Sequence, residues 1–348
     1  MEDNKKPQGK LKLHTSYAKR RKQHRITDRT RGWGKGVKDR AVFSLSLLYP
    51  GFIGVWLVMG LLWLIVTLLP YPVTLSLGRK LGLLIARVMP SRRYVVKRNL
   101  DLAFPELSGD EKARLEKEIY ENAGMGMLET GMAWFWSDRR VLKHAFIDDE
   151  ELKRAREMAE RNERTLVLTC HFVSLELMAR MYALLIKGGV GVYRPSDHPV
   201  FEYFQVKGRL KSNVALVDRD DPRSIVKALM QGYPIWYAPD QDYGKKAAVF
   251  VPFFGVEKAA SITATHDLAR VKGVNVQPSW TIREKGGYRL YVSAPLENFP
   301  TENVEEDIKR VNQTLEKMIR MAPAQYLWMH RRFKTRPEGE PSRYPEIS

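Results

Sequence analysis

Two histidines in the 348-residue chain precede an acidic residue by five positions: His171 precedes Glu176, and His144 precedes Asp149. A carboxylate beside an imidazole fixes the ring tautomer and raises the basicity of the far ring nitrogen. The ring then becomes a general base able to take a proton from a hydroxyl group. Because the chain has 7 His and 40 acidic residues, this spacing arises readily by chance, so the surrounding sequence has to distinguish the two pairs.

The stretch TLVLTCHFVSLELMARM, residues 165–181, favours the first pair. A strand-like apolar run ends at His171, and a helical pattern follows with Ser174 as its natural N-cap. Within one helix, side chains five residues apart diverge by about 140°, but a strand-to-helix loop can fold His171 and Glu176 together. His144 lies among charged residues with no strong strand before it. We therefore interpret His171 as a candidate base with Glu176 as its partner; a buried structural histidine is the alternative.

Strand-like and helix-like segments alternate from residue 163 onward, after a mainly helical region at 76–160. The strand candidates are TLVLTC, VGVYRP, VALVD, IWYAPD, VNVQPSW and YRLYVSAPL. This alternation predicts an α/β fold, a mostly parallel sheet with flanking helices. In such sheets reacting groups collect at the carboxyl ends of the strands, and His171, Arg194 and Asp240 all follow strand candidates.

Two further motifs near these residues are weak indicators of chemistry. Cys170 adjoins His171, but successive strand residues face opposite sides of a sheet, so a buried structural cysteine is favoured over a nucleophile. Asp240 and Asp242 form a D-x-D pair of the kind that binds metal in nucleotide-sugar glycosyltransferases. Because this pair is common by chance, we predict no metal site, and no motif in the chain indicates a cofactor.

A dense basic block, MHRRFKTRPEG, occupies residues 329–339 and contains Arg331, Arg332 and Arg336. Guanidinium groups suit phosphates and carboxylates because they donate two parallel hydrogen bonds. These arginines are therefore candidates for binding an anionic substrate. The alternative is a solvated basic face near the C-terminus.

A long apolar segment indicates attachment to a membrane. Residues 51–69 contain no charged side chain, and a helix of that length spans about 28 Å, close to the ~30 Å of a bilayer's hydrocarbon core. Tyr49 and Tyr71 are placed like interfacial anchors, and we assign residues 41–75 to a membrane anchor. Basic residues on both flanks favour a cytoplasmic location for each. Either one flank is translocated, or the segment enters the membrane and returns on the same side.

The first forty residues carry fourteen Lys or Arg and four Asp or Glu, so +10 of the net charge of +18 lies there. We predict that residues 1–40 form a disordered tail that binds anionic lipid, in preference to nucleic acid. The one cysteine in the chain excludes an internal disulfide framework and cysteine-rich zinc sites. The remaining residues, 76–348, are predicted to form the catalytic domain.

From about Tyr49 onward the chain resembles the secondary acyltransferases of lipid A biosynthesis in Gram-negative bacteria, the lauroyl- and palmitoleoyl-transferring enzymes that act on Kdo2-lipid IVA. The segments that carry the resemblance, in order, are NLDLAFPE, GMGMLETGMAWFW, HFVSLEL, GVYRPSDHPVFEY, GRLKSN, WYAPDQDYG, VFVPFFGV and APAQYLWMHRRFKTRPEG. The family's H-x4-D/E motif falls on His171 and Glu176, which separates this pair from His144. One departure is His198, at a position where the family usually has asparagine.

The resemblance implies a glycerolipid-acyltransferase-like fold and transfer of a fatty acyl chain from acyl carrier protein to a hydroxyl of a 3-hydroxyacyl chain on a phosphorylated, Kdo-bearing lipid A precursor. It implies location at the bacterial inner membrane with the catalytic domain on the cytoplasmic face. His171 would be the base and Glu176 would stabilise its imidazolium. Arg194 would meet the developing oxyanion or a phosphate, and Asp240 would orient Arg194 or His171.

The resemblance also implies that Arg331, Arg332 and Arg336 would contact phosphates, Kdo carboxylates or the acidic carrier protein. Lauroyl, myristoyl and palmitoleoyl transfer all stay open at this point. A glycerolipid acyltransferase, which shares the H-x4-D/E motif, is the nearer alternative function. A metal-dependent membrane glycosyltransferase, using the D-x-D pair, is the more distant one.

Overall fold

The structure, a computed structural model, describes residues 33–345. Its strands are β1 (Val37–Lys38), β2 (Ala145–Phe146), β3 (Arg164–Leu168), β4 (Gly189–Tyr193), β5 (Asn213–Asp218), β6 (Ile235–Tyr237), β7 (Ala248–Phe253), β8 (Val256–Ile262), β9 (Val274–Glu284) and β10 (Gly287–Val292). Its α-helices are α1 (Ile53–Leu68), α2 (Tyr71–Val88), α3 (Pro90–Ala103), α4 (Gly109–Phe135), α5 (Asp138–Lys143), α6 (Asp149–Glu160), α7 (Leu175–Leu185), α8 (Pro199–Arg209), α9 (Pro222–Met230), α10 (Ala264–Ala269) and α11 (Val304–Met321).

The eight-stranded central sheet has the order β1-β5-β4-β6-β3-β9-β10-β2. The five middle strands, from β5 to β9, are parallel. At the edges, β1 pairs antiparallel with β5 and β10 antiparallel with β9, while β2 pairs parallel with β10. In β3, residues 165–168 are all buried, as expected for a strand covered by helices on both faces. The predicted α/β class with a mostly parallel sheet and flanking helices is confirmed. The separate β7–β8 hairpin was not predicted from the sequence.

A buried ion pair attaches α4 to the antiparallel β9–β10 hairpin. Arg283 donates from Nη2 to Glu129 Oε2 at 2.8 Å, and Tyr288 donates its hydroxyl to Glu129 Oε1 at 2.8 Å. Glu129 is fully buried, and its charge raises the pKa of Arg283 despite the opposing effect of burial. Because removing one partner would leave a buried charge, this pair fixes where α4 lies on the sheet.

The apolar segment forms a helix, as predicted. Residues 50–68, which are α1 and the 3-10 turn before it, are long and apolar enough to cross a membrane, with a mean hydropathy of 2.3 and only 11% of the segment buried. Leu57, Val58 and Leu61 are each more than half exposed. Exposed side chains of this kind indicate a lipid-facing surface.

The next helix, α2, packs against α4 at a distance that requires glycine. A Cβ atom on Gly82 would lie 1.8 Å from the carbonyl oxygen of Tyr120, and one on Gly124 would lie 2.1 Å from that of Gly78. The two backbones therefore touch directly, which joins the membrane-proximal helices rigidly to the rest of the fold.

The start of the described chain forms part of the same sheet. Val37 pairs with Val217 of β5, Gly34 donates its backbone N–H to Ser224 Oγ at 2.7 Å, and Trp33 contacts Tyr233 edge to face. The disordered tail predicted for residues 1–40 is therefore corrected for residues 33–40, which cover an edge strand. The rest of that tail lies outside the described residues.

Candidate active site

The candidate base lies at the carboxyl end of β3, beside a carboxylate that follows the adjacent parallel strand, β6. Asp240 Oδ1 lies 2.7 Å from His171 Nδ1, and Asp240 Oδ2 accepts the backbone N–H of His171 at 2.9 Å. Asp240 is fully buried, whereas 26% of the His171 side chain is exposed. Two hydrogen bonds thus hold Asp240 on His171. The imidazole stays partly accessible, and its Nε2 takes no part in the contact with Asp240.

The electrostatics of the pair favour an ionised carboxylate. Burial lowers the pKa of His171, but the charge and the hydrogen bond of Asp240 outweigh it, so the pKa of His171 is raised above its ordinary value. Burial raises the pKa of Asp240, and the opposing interactions with His171 bring that pKa below its ordinary value. Asp240 is therefore the charged partner that makes the imidazole more basic.

Glu176 occupies the first turn of α7, as predicted, but its carboxylate bonds to other groups. Arg209 donates to Glu176 Oε1 from Nε at 2.8 Å and from Nη2 at 2.6 Å, and Trp134 Nε1 donates to Oε2 at 3.2 Å. The hydrogen-bond partner of His171 in this structure is Asp240 and not Glu176. Ser174 also differs from expectation, since its hydroxyl donates to the carbonyl of Thr281 and does not cap the helix.

Arg209 is the functional candidate that the sequence analysis missed. It lies at the last residue of α8, is held by Glu176, and is close enough to His171 that its charge opposes protonation of that ring. Its guanidinium carbon is also 5.9 Å from the ring centre of Tyr193. The segment GRLKSN contains Arg209, but no spacing within that segment indicates its contact with Glu176.

Arg194, which the sequence analysis expected beside the developing oxyanion or a phosphate, lies at the surface in this structure. Its side chain is 65% exposed and pairs with Asp197 at 3.3 Å. No contact between Arg194 and either His171 or Asp240 is present among the described residues. His198 is the N-cap residue of α8, where Nδ1 accepts the backbone N–H of Phe201 at 3.5 Å.

The basic block contributes to structure more than to an exposed anion site. Arg332 is 1% exposed and donates to the carbonyl of Ala260 at 2.7 Å and to Ser261 Oγ at 3.0 Å. The expected contact between Arg332 and a substrate anion is thus corrected, because a buried guanidinium cannot reach one. Arg336 donates to the carbonyl of Glu340 at 2.6 Å, and Arg331 is half-buried.

An irregular segment after α11, residues 325–335, contacts the backbone of the base. Leu327 donates its N–H to the carbonyl of His171 at 3.0 Å, and Tyr326 forms an isolated bridge with Phe172. The Tyr326 hydroxyl also donates to the backbone carbonyl of Asp240 at 3.3 Å. We call residues 325–335 the C-terminal strap, since they hold the peptide backbone on both sides of the His171–Asp240 pair.

The D-x-D pair is built into this arrangement. Asp242 Oδ2 accepts the N–H of Thr335 at 2.6 Å, and Oδ1 accepts that of Gly244 at 2.9 Å. Both oxygens of Asp242 therefore serve to shape the loop after β6. Across residues 33–345, no group of three or more His, Cys, Asp or Glu side chains is placed to hold a metal ion.

Comparison with known proteins identifies the family of this chain. A model of the bacterial lipid A biosynthesis acyltransferase family matches residues 40–335. The Escherichia coli lipid A biosynthesis lauroyltransferase is 45% identical over 87% of this chain and 98% of that protein. The E. coli palmitoleoyltransferase is 40% identical over 87% of this chain and 98% of that protein, and the E. coli myristoyltransferase is 27% identical over 86% and 92%.

A solved structure, the 1-acyl-sn-glycerophosphate (LPA) acyltransferase PlsC from Thermotoga maritima, covers 72% of this chain and 97% of that chain at 15% identity. Its TM-score of 0.35 carries no argument about function. The family match over most of the chain, and relatives at 40–45% identity over nearly their whole length, are decisive. The chain belongs to the bacterial lipid A biosynthesis acyltransferases.

Proposed function

We propose that the protein transfers a fatty acyl chain from acyl carrier protein to a hydroxyl of a 3-hydroxyacyl chain on a Kdo-bearing lipid A precursor. The observation that carries the proposal is the His171–Asp240 pair, in which an imidazole that is 26% exposed is hydrogen-bonded to a fully buried carboxylate. Membership of the lipid A acyltransferase family supports the acceptor class.

His171 acts as the general base. With Nδ1–H donating to Asp240, Nε2 carries the lone pair and takes the proton of the acceptor hydroxyl. The oxygen then attacks the thioester carbonyl and forms a new C–O bond. When the tetrahedral intermediate collapses, the C–S bond breaks, and the carrier thiol leaves with the proton returned by the imidazolium. Asp240 stabilises that imidazolium without itself accepting the proton.

Arg209 supplies positive charge for the reaction. Because Glu176 holds two of its nitrogens, the guanidinium has a fixed orientation beside the base. It stabilises the oxyanion of the intermediate or a phosphate of the acceptor. Glu176 is thereby a positioning residue for Arg209. We assign Arg194, which is largely exposed, to contact with the acidic carrier protein at the surface.

The membrane anchor lies along the catalytic domain with both of its flanks on one side of the bilayer. Before α1, Val37 belongs to the central sheet; at its start Phe52 contacts His198, with ring centres 5.0 Å apart. Near its end, the carbonyl of Val66 accepts a hydrogen bond from Trp136 Nε1 at 2.6 Å. A helix fixed to one domain at both ends enters one leaflet and does not cross to the other.

In this proposal both basic flanks lie in the cytoplasm, as the positive-inside rule favours, and the site lies at the inner face of the inner membrane. Exposed Arg79, Lys80 and Arg87 of α2 would then face anionic lipid.

Two cysteine variants test the topology: Lys35→Cys before the anchor and Lys285→Cys in the catalytic domain, both at exposed positions. In intact spheroplasts an impermeant thiol reagent should label neither, and lysis should expose both. Labelling of position 35 alone in intact spheroplasts would disprove this topology.

Purified protein tests the activity directly. Incubation with acyl carrier protein thioesters of twelve, fourteen and sixteen carbons and a tetra-acylated lipid A precursor should yield a penta-acylated product, whose mass identifies the chain transferred. The His171→Ala variant should lower turnover about 10²- to 10⁴-fold while its circular dichroism spectrum stays unchanged. Acylation of lysophosphatidic acid in preference to the lipid A precursor would instead favour the glycerolipid acyltransferase alternative.

A further inference from the structure

The loop that carries Asp240 depends on a histidine that does not touch the candidate reaction centre. The backbone N–H of Asp242 donates to Nε2 of His330 at 3.0 Å. A ring nitrogen accepts a hydrogen bond only when it carries no proton. The contact therefore requires that His330 is neutral, with any ring proton on Nδ1.

His330 is itself fixed in place. It belongs to the C-terminal strap, and its carbonyl accepts a hydrogen bond from Asn99 Nδ2 of α3 at 2.7 Å. Asn99 also donates to the carbonyl of Trp328 at 2.6 Å. The strap is thus bonded to α3 at Trp328 and at His330 itself, so the ring can act as a rigid acceptor for the loop.

Asp242 transmits this contact to the reacting pair because it follows Asp240 by two residues. Tyr326 holds the Asp240 carbonyl, His330 holds the Asp242 N–H, and Thr335 holds the Asp242 carboxylate. The peptide between the two aspartates is therefore fixed on both sides. Loss of the middle contact would release the loop where the Asp240 carboxylate must stay within hydrogen-bond distance of His171.

The charges around His330 set its protonation state. Burial, which is the largest effect, lowers the pKa of His330; Arg332 and His171 also lower it, whereas Asp242 and Asp240 oppose them. The resulting pKa lies below the ordinary value of a histidine. The ring is therefore neutral near pH 7, in agreement with its role as an acceptor.

We propose that His330 is a positioning residue for catalysis, whose unprotonated Nε2 holds the Asp240–Asp242 loop and thereby keeps Asp240 on His171. The proposal rests on the proposed function, in which His171 is the base. It predicts that activity needs two histidines to be neutral, one that takes the substrate proton and one that never contacts the substrate.

Three substitutions at one position separate this role from packing. His330→Gln places an amide oxygen at about the reach of Nε2, so it keeps an acceptor that does not titrate. His330→Asn carries the same amide on a shorter side chain that does not reach the Asp242 N–H. His330→Ala removes the acceptor. We expect near-normal kcat for the Gln variant and losses of about 10- to 100-fold for the Asn and Ala variants, with KM for both substrates changed less than about twofold, since His330 does not touch them.

The pH dependence of kcat gives a readout that a purely structural role would not change. As the pH falls, the wild type first protonates His171, whose pKa is raised, and activity drops about tenfold per pH unit. At lower pH His330, whose pKa is lowered, takes a second proton and its acceptor is lost. The slope then exceeds tenfold per pH unit until the additional loss reaches about 10- to 100-fold, as expected for the Ala variant. The Gln variant should keep the first slope throughout. His144→Gln, which changes a histidine bonded to the carbonyl of Gly286, should retain the steepened wild-type profile.

Hydrogen exchange provides a measurement that does not require activity. The backbone amides of residues 240–244 should exchange faster in the Ala and Asn variants than in the wild type or the Gln variant. If the wild type is inactive on lipid A precursors, the proposed function fails. Hydrogen exchange at residues 240–244 still shows whether His330 holds the loop, because that measurement does not depend on activity. If the wild type is active and His171→Ala is not, but His330→Ala keeps normal kcat and normal exchange, the inference about His330 is wrong.

Discussion

Replacement of Asp240 by asparagine tests which carboxylate serves the base. The substitution keeps the size of the side chain and removes its charge. Asp240 accepts two hydrogen bonds from His171, from the backbone N–H at 2.9 Å and at the ring nitrogen at 2.7 Å. An amide can accept one of these with its oxygen, but its NH₂ group must then face the other position.

If the amide oxygen keeps the backbone N–H, the NH₂ group donates to Nδ1 and forces the ring proton onto Nε2, so the base can no longer accept a proton there. If the oxygen keeps Nδ1–H, the NH₂ group faces the backbone N–H of His171, and two donors oppose each other in a buried site. In either case the general-base contribution, worth about 10²- to 10⁴-fold in rate, is lost or greatly reduced.

The pH profile of kcat/KM separates this effect from a simple loss of structure. In the wild type, Asp240 raises the pKa of His171 against the effect of burial; without that charge the pKa of His171 falls. Since the active form is the neutral ring, Asp240→Asn should move the acid limb of residual activity to lower pH. The matched variant Glu176→Gln removes the negative charge beside Arg209 and should move the limb far less. A large shift in Glu176→Gln with none in Asp240→Asn would refute the assignment.

Two further predictions concern the second charge at the site and the packing behind it. Arg209→Ala should lower kcat about 10²-fold in the acyl-transfer assay. Arg194→Ala should leave kcat within about threefold and raise KM for the carrier protein. The reverse pattern would instead identify Arg194 as the residue near the oxyanion. Gly82→Ala should destabilise the protein by about 3 kcal/mol, read as a lower midpoint of thermal unfolding, because its Cβ would lie 1.8 Å from the Tyr120 carbonyl oxygen. Gly54→Ala, where a Cβ meets no atom within 4 Å, should leave the midpoint nearly unchanged.

Local pattern was sufficient to predict the elements that carry the site. The apolar run of β3, the helical pattern of α7 and the alternation around them place His171 and Asp240 at the ends of strands. Their contact depends on β3 and β6 being neighbours in the sheet, although many residues separate them along the chain. No spacing rule within one segment contains that information, whereas the pair His171 and Glu176 attracts attention because it is local.

The arginines also show that the sequence alone does not reveal contacts that depend on tertiary packing. Composition predicts that a basic block binds anions, but it does not indicate which guanidinium is buried. Arg332 finds its partners in β8, at Ala260 and Ser261, and its guanidinium carbon lies 4.5 Å from the ring centre of Phe253. Arg209, in a less basic stretch, is turned toward the site by the length of α8 and by Glu176. Burial and pairing of this kind depend on tertiary packing.

The C-terminal strap has a consequence for the time at which the enzyme becomes active. Its contacts reach His171, Phe172 and Asp240, all of which are synthesised well before it. While the ribosome still encloses residues 325–335, the sheet can form, but the loops that carry the base and its carboxylate lack the hydrogen bonds that the strap supplies. A nascent chain tethered at the membrane should therefore stay inactive until the strap has left the ribosome.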